Sequence, residues 1–293
     1  MGIPFAMFHT GIPLGLFLNF GVALAGWYTG TLYLKIKDMS PTYVESLYEI
    51  GFVTMGTSSI YIFSALILIS GVGCTMIYFI VFSNISASLA KAIYNDDTVD
   101  NILTDKYLYT ICLALLMTPL CLKKMLAEMK IVSIMLFLSI AIFILLFLVQ
   151  LCTLGNIENH DDTYGQYYTV EVDMQLVTGF NIIVLAYAYH INLFPTYNSL
   201  GANKSNANGM RAVAIGSGFS VFIYCSLGVL SIYTFGSDLD TSVIANVNKE
   251  ENIYSYIIRV AFLLVLACHI PYIFFPTKES FLIIFDEAKN NSM

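Results

Sequence analysis

Two histidines, set among prolines, glycines and tyrosines, are the residues of this 293-residue chain best placed to do chemistry. His190 lies in the run 178–200, TGFNIIVLAYAYHINLFPTYNSL, with Asn181 upstream, Tyr187 and Tyr189 beside it, and Pro195 after it. His269 precedes Pro271 in a second apolar run, and Gly2-Ile3-Pro4 stands at the head of a third. A proline in a helix removes one N–H and clashes with the carbonyl one turn back. The helix ends it leaves carry bare N–H groups on one side and bare C=O groups on the other. Those partial charges suit the carboxylate and the ammonium of a zwitterion. An imidazole titrates near physiological pH and can carry a proton. Each feature also has a plainer reading: a kink without a ligand, a histidine bonded to a backbone carbonyl, or a gate. No Ser/His/Asp set, metal-ligand spacing or phosphate-binding loop occurs in the sequence, and its acids lie only at the edges of the apolar runs. The chain is therefore expected not to be an enzyme and to need no cofactor.

The elements that must position these residues are membrane helices. The chain is 58% hydrophobic and 11% charged, where a soluble domain carries about a quarter of its residues charged. Its charges cluster between nearly bare stretches, the pattern of a polytopic membrane protein. Those stretches predict a half-span at 2–9 and full spans near 11–33, 57–83, 107–122, 131–152, 175–200, 212–235 and 253–277. Lys106 and Lys123 can snorkel at the ends of the short third full span. Arg259 either snorkels as well or serves as a gate or helix–helix ion pair. Gly71, Gly73 and Tyr78 suit close helix packing or a cavity wall, and the six cysteines read as small buried hydrophobes, a disulfide pair being the other option.

Loop charges set the orientation. Lys35, Lys37, Lys123, Lys124, Lys130, Lys204, Arg211, Lys278 and Lys289 fall on one side, against Lys91, Lys106 and Lys249 on the other. The first side is expected to be cytosolic. The opposite loops are acidic, with Asp96, Asp97, Asp100 and Asp105, then Glu158, Asp161, Asp162, Glu171 and Asp173, then Asp238, Asp240, Glu250 and Glu251. The net charge of −7 and the lack of a basic patch give no reason to expect a nucleic-acid partner. Loop 34–56 is expected to hold a short amphipathic helix starting at Ser40-Pro41, and residues 279–293 an amphipathic stub. Asn84-Ile85-Ser86 is a glycosylation sequon close to the membrane. In this orientation His9 and Thr10 reach the outer surface only nine residues into the chain, too few for a span of about 20 residues. Either residues 1–9 do not insert or the sequence lacks the front half of its first span; the second is the expectation here. The breaks at Gly2–Pro4 and His190–Pro195 stand five spans apart, as in transporters built from inverted repeats.

These residues carry a resemblance. Gly2-Ile3-Pro4-Phe5-Ala6-Met7, followed by Gly11, resembles the first-span signature of the amino acid/auxin permease family, glycine-hydrophobic-proline-aromatic-alanine. Tyr187-Ala188-Tyr189-His190, followed by Pro195-Thr196-Tyr197 and Leu200, is similar to its sixth-span signature, aromatic-x-Cys-His and then Pro-Ile-Tyr-x-Glu-Leu. Arg259, Pro271, Phe275, Pro276 and Lys278 resemble its eighth span, and Gly73 and Tyr78 its third. Its sodium-coupled neutral amino acid transporters and their vacuolar relatives are the most similar branch. The chain departs from the pattern with Tyr189 for cysteine, Ile191 for proline, Ser199 for glutamate, Lys278 for arginine and His269 for the threonine that helps hold sodium.

The resemblance implies an all-α, LeuT-type inverted-repeat bundle, truncated at both ends. Residues 1–293 would form one transmembrane transporter domain, from the second half of span 1 through span 8. It implies symport of an amino acid, most simply a neutral one, coupled to H+ or Na+, in a plasma membrane or a vacuolar or endosomal membrane. The implied substrate site comprises Gly2, Ile3, Pro4, Gly73, Tyr187, Ala188, Tyr189 and His190, with His269 or His190 coupling the ion. The rival is a truncated, non-transporting membrane sensor or assembly subunit.

Overall fold

The computed structural model describes residues 2–40, 44, 46–94, 102–123, 130–154, 168–170, 172–201, 204–248 and 253–290. Met1, Pro41, Lys124, Lys249, Met293 and the acids Asp96, Asp97, Asp100, Glu158, Asp161, Asp162, Glu171, Glu250 and Glu251 lie outside them. The described residues form helices and no strand: α1 Ile3–Thr10, α2 Ile12–Met39, α3 Leu47–Met55, α4 Ser58–Tyr94, α5 Lys106–Cys121, α6 Lys130–Leu154, α7 Met174–Ala186, α8 Leu193–Asn198, α9 Asn206–Phe235, α10 Val243–Asn248 and α11 Ile253–Asn290. Short 3-10 turns occupy Ile102–Thr104, His190–Asn192 and Gly236–Asp238. Among the described residues, six helical stretches are long and apolar enough to cross a membrane, and α5 is a shorter apolar helix. The protein is an all-α, multi-pass integral membrane protein.

Several local expectations change. The helix in loop 34–56 starts at Leu47 rather than at Ser40-Pro41. Ser46 caps it by accepting the Glu49 N–H, with the acid itself in the first turn, the arrangement that satisfies otherwise orphaned donors. α4 runs on to Tyr94, so the sequon Asn84-Ile85-Ser86 lies inside a helix with Ile85 and Ser86 buried. α11 continues to Asn290 through Pro271 and Pro276, so the described part of the 279–293 tail extends the last span. Neighbouring helices and local adjustment re-satisfy backbone freed by proline in membrane helices. Arg259 does not snorkel: it is 1% exposed, enclosed by protein. All six cysteines are free.

The chain divides into two compact units. The first comprises Met1–Tyr33, Ile142–Tyr189 and Asn206–Ile258. Its centre is α1, packed on α7 and α9. α1 is only 8 residues long, and Gly11 ends it by taking φ 71°, which favours glycine, so that α2 leaves in a new direction. Glycines on both neighbours make room for it. A Cβ at Gly179 would stand 3.0 Å from the Ala6 carbonyl oxygen, and one at Gly228 would overlap the Met7 sulfur. Ala6 and Met7 are accordingly fully buried.

The second unit comprises Leu34–Ala141, His190–Ser205 and Arg259–Met293. Within it α4 packs on α3 and α5. Leu113 and Met117 of α5 meet Ile270 of α11 in a buried cluster flanked by Tyr78 and Phe82. The Lys278 amine donates to the Cys121 and Lys123 carbonyls, meeting the orphan acceptors at the end of α5 where the helix dipole favours a cation. The end of α2 is tied to α8: Lys37 sits 5.0 Å and Lys204 5.4 Å from the centre of the buried Tyr197 ring.

Candidate functional site

The sixth span breaks within 186–194, as its proline predicts. Pro195 falls in the first turn of α8, where a missing N–H costs nothing. An α-helix running through it would need that N–H to bond the carbonyl of Ile191, so the chain upstream leaves helical geometry. α7 ends at Ala186, and its last turn tightens, with the Tyr187 N–H donating to the Val184 carbonyl and the Ala188 N–H to the Leu185 carbonyl. A further 3.0 Å bond runs from the Tyr189 N–H to the Tyr187 carbonyl before the His190–Asn192 turn begins.

The first unit brings the opposite helix ends together. Gly2 caps the N-terminus of α1, and a Cβ placed on it would stand 3.3 Å from Ile182 of α7. Ile182 precedes Ala186 by one turn, about 6 Å of helix. The amino end of α1 thus lies roughly one turn from the carbonyl end of α7, a positive and a negative partial charge on neighbouring helices. Ile3 and Pro4 are buried, and Pro4 contributes no donor, which leaves the Ile3 and Phe5 N–H groups in that first turn.

The tyrosines of the break turn to α2. Tyr187 donates its hydroxyl to Asn19 Oδ1 at 3.2 Å, and the Asn19 amide donates to the Gly15 carbonyl at 2.8 Å with the asparagine fully buried. Tyr189 donates to the Gly26 carbonyl at 2.6 Å. From α9, Tyr224 stacks edge-on against the Tyr187 ring with centroids 5.4 Å apart and donates to the Ala186 carbonyl at 3.4 Å. These bonds occupy the two phenols, and Ala188 is exposed between them.

The expected site residues therefore separate. Gly2, Ile3, Pro4, Tyr187, Ala188 and Tyr189 belong to the first unit, whereas Gly73, His190 and His269 belong to the second. Gly73 meets nothing within 4 Å of an added Cβ; the close approach of this span falls at Gly71, whose Cβ would overlap the Thr277 side chain. His269 Nδ1 lies 3.1 Å from the Tyr78 hydroxyl, and α11 does not break at Pro271. Asn181 is exposed. Asn19 and Gly30 were not among the expected site residues. Asn19 had a usable signal, a lone amide in an apolar span; Gly30 had none until Tyr189 was placed beside it.

A family model described as transmembrane amino acid transporter protein matches residues 1–291. A relative from Arabidopsis thaliana named Amino acid transporter AVT6E is 24% identical over 294 aligned residues, which cover 96% of this chain and 59% of that protein. No solved structure matches the chain. With the family model running the length of the described helices and both interrupted segments within it, the chain belongs to the transmembrane amino acid transporter family.

Proposed function

We propose that the protein moves amino acids across a membrane by alternating access, one helix bundle rocking against another, driven by a proton or sodium gradient. The observation that carries the reading is the meeting of the amino end of α1 with the carbonyl end of α7 at an interrupted span. Carboxylate and ammonium groups are common to all α-amino acids, so a site built from helix ends fits the class and leaves the side chain to other walls. Neutral amino acids fit best, because no acid or lysine stands in the broken segment to pair with a charged side chain. Residues 1–293 would act as a single transport domain within the inverted-repeat scaffold.

For the coupling ion we propose the proton. His269 stands where the resemblance puts a sodium-binding threonine, and an imidazole replaces a hard oxygen ligand with a titratable nitrogen. Its bond to Tyr78 supplies a partner for either protonation state, because the phenol can donate or accept. His190, at the head of its 3-10 turn, is the alternative carrier. The test is uptake of labelled amino acids by the full-length protein with sodium replaced by choline, at outer pH 5.5 and 7.5. Uptake that persists in choline, rises in acid and loses its pH response in His269→Thr supports the reading. Uptake that vanishes without sodium and ignores pH overturns the proton, and no uptake or binding of any amino acid overturns transport itself.

A further inference from the structure

The two phenols of the interrupted segment reach the same helix, and the second lands in a socket. Tyr189 donates its hydroxyl to the Gly26 carbonyl at 2.6 Å. One turn further along α2 is Gly30, and the space its missing side chain leaves is where the phenol ends. A Cβ there would stand 2.5 Å from Tyr189 Oη, 3.3 Å from Cζ and 3.4 Å from Cε2. The first distance is too short for any real contact, while the other two leave room for a small adjustment. The conflict is thus with the hydroxyl alone. Tyr187 anchors the same segment to Asn19, about two turns earlier on α2.

We propose that Tyr189 and Gly30 are a matched positioning pair, through which α2 sets the place of the backbone at 187–189 that holds the substrate's charged groups. The inference rests on reading that backbone as the binding segment. Tyr189 is a positioning residue, since its side chain faces α2. Relieving the clash has to tilt the ring about χ1 and χ2 or shift the Tyr189 backbone, and a ring held in packed surroundings passes part of that shift to the backbone. Geometry of bound groups controls affinity and turnover steeply.

The pair makes an unusual mutational demand. Gly30→Ala improves the intrinsic helix propensity of α2, so a loss cannot come from a weaker helix. Uptake kinetics and amino-acid-induced thermal shifts of the full-length protein test it. Gly30→Ala should raise KM about tenfold or more while maximal rate per molecule at the membrane changes by less than about threefold, the signature of weakened binding. Tyr189→Phe sets the level reached without the hydroxyl, and the double variant Gly30→Ala/Tyr189→Phe should return to that level, because the clashing oxygen is gone. If Gly30→Ala does not accumulate, the same rescue is read as recovery of folded protein and of the substrate-induced thermal shift in the double variant. Unchanged KM in Gly30→Ala, or a double variant no better than Gly30→Ala, overturns the pair. A wild-type protein that binds no amino acid overturns instead the reading of the segment on which the pair rests.

Discussion

A double-mutant cycle measures the bond between Asn19 and Tyr187. Asn19 is fully buried with both ends of its amide engaged, Nδ2 to the Gly15 carbonyl at 2.8 Å and Oδ1 from the Tyr187 hydroxyl at 3.2 Å. Asn19→Ala removes both bonds and leaves a phenol near the centre of the unit without its acceptor. A typical net hydrogen bond contributes about 1 kcal/mol, and stranding a buried polar group costs about 1–3 kcal/mol. Hydrogen bonds between membrane helices average about 0.6 kcal/mol with an upper value near 1.7, because the unfolded chain in lipid also finds partners. Asn19→Ala should therefore destabilise by roughly 2 kcal/mol and Tyr187→Phe by about 1 kcal/mol. The coupling between them should fall between about 0.6 and 1.7 kcal/mol. Replacing both partners by apolar groups of similar shape, Asn19→Leu with Tyr187→Phe, should be closer to neutral than Asn19→Leu alone. Equilibrium unfolding in detergent or bicelles supplies the four free energies of each cycle. Single changes that add within about 0.3 kcal/mol would show that the two residues do not share a bond, and the anchoring of the broken segment to α2 would lose its first point.

Three further outcomes follow from other contacts. Gly71→Ala should destabilise the second unit, and Thr277→Ala should restore it only in part, because the new Cβ still lies 2.9 Å from the Thr277 Cβ; thermal denaturation of the single and double variants measures both. Gln150 is 3% exposed, with neither end of its amide hydrogen-bonded among the described residues, so Gln150→Leu should raise the melting temperature, and a drop would mean that the amide has a partner. Cysteines introduced at Lys124 and Asp161 should be labelled by an impermeant reagent from opposite faces of the membrane, as the distribution of loop lysines demands; labelling of both from one face would overturn the orientation.

The anchoring gives the departures from the family pattern a physical reading. Tyr189 occupies a position where the resemblance expects cysteine, and a phenol in place of a thiol needs space and an acceptor. Gly30 supplies the space and the Gly26 carbonyl the acceptor. Lys278 replaces an expected arginine yet still reaches carbonyl oxygens at the end of α5, a task for which a point charge on a flexible stem is sufficient.

What the sequence determined by itself was the solvent and the breaks. Long charge-free runs can satisfy their backbone in lipid only as helices, so the spans near 57–83, 131–152, 212–235 and 253–277 were legible from composition. Pro195 made an interruption upstream the expectation, because its missing N–H and its ring act on the turn before it. Pro271 and Pro276 obey the same local rule and yet α11 passes through them, so the tertiary surroundings decided which prolines break a span. α3 begins after Ser46, whose hydroxyl accepts the Glu49 N–H, and a serine three residues before an acid is a capping signal legible in the sequence. Only the tertiary structure decided which way side chains point. Tyr187 and Tyr189 stand in the implied substrate site, and their hydroxyls bond to α2. Asn19 and Gly30 became meaningful once that helix lay beside the break. Gly73 and Gly71 have the same composition and nearly the same position, but only Gly71 meets a neighbour, Thr277. Residues far apart in the chain, such as 19 and 187 or 30 and 189, meet through helix packing, and neither hydropathy nor local spacing encodes which face of one span will meet which residue of another.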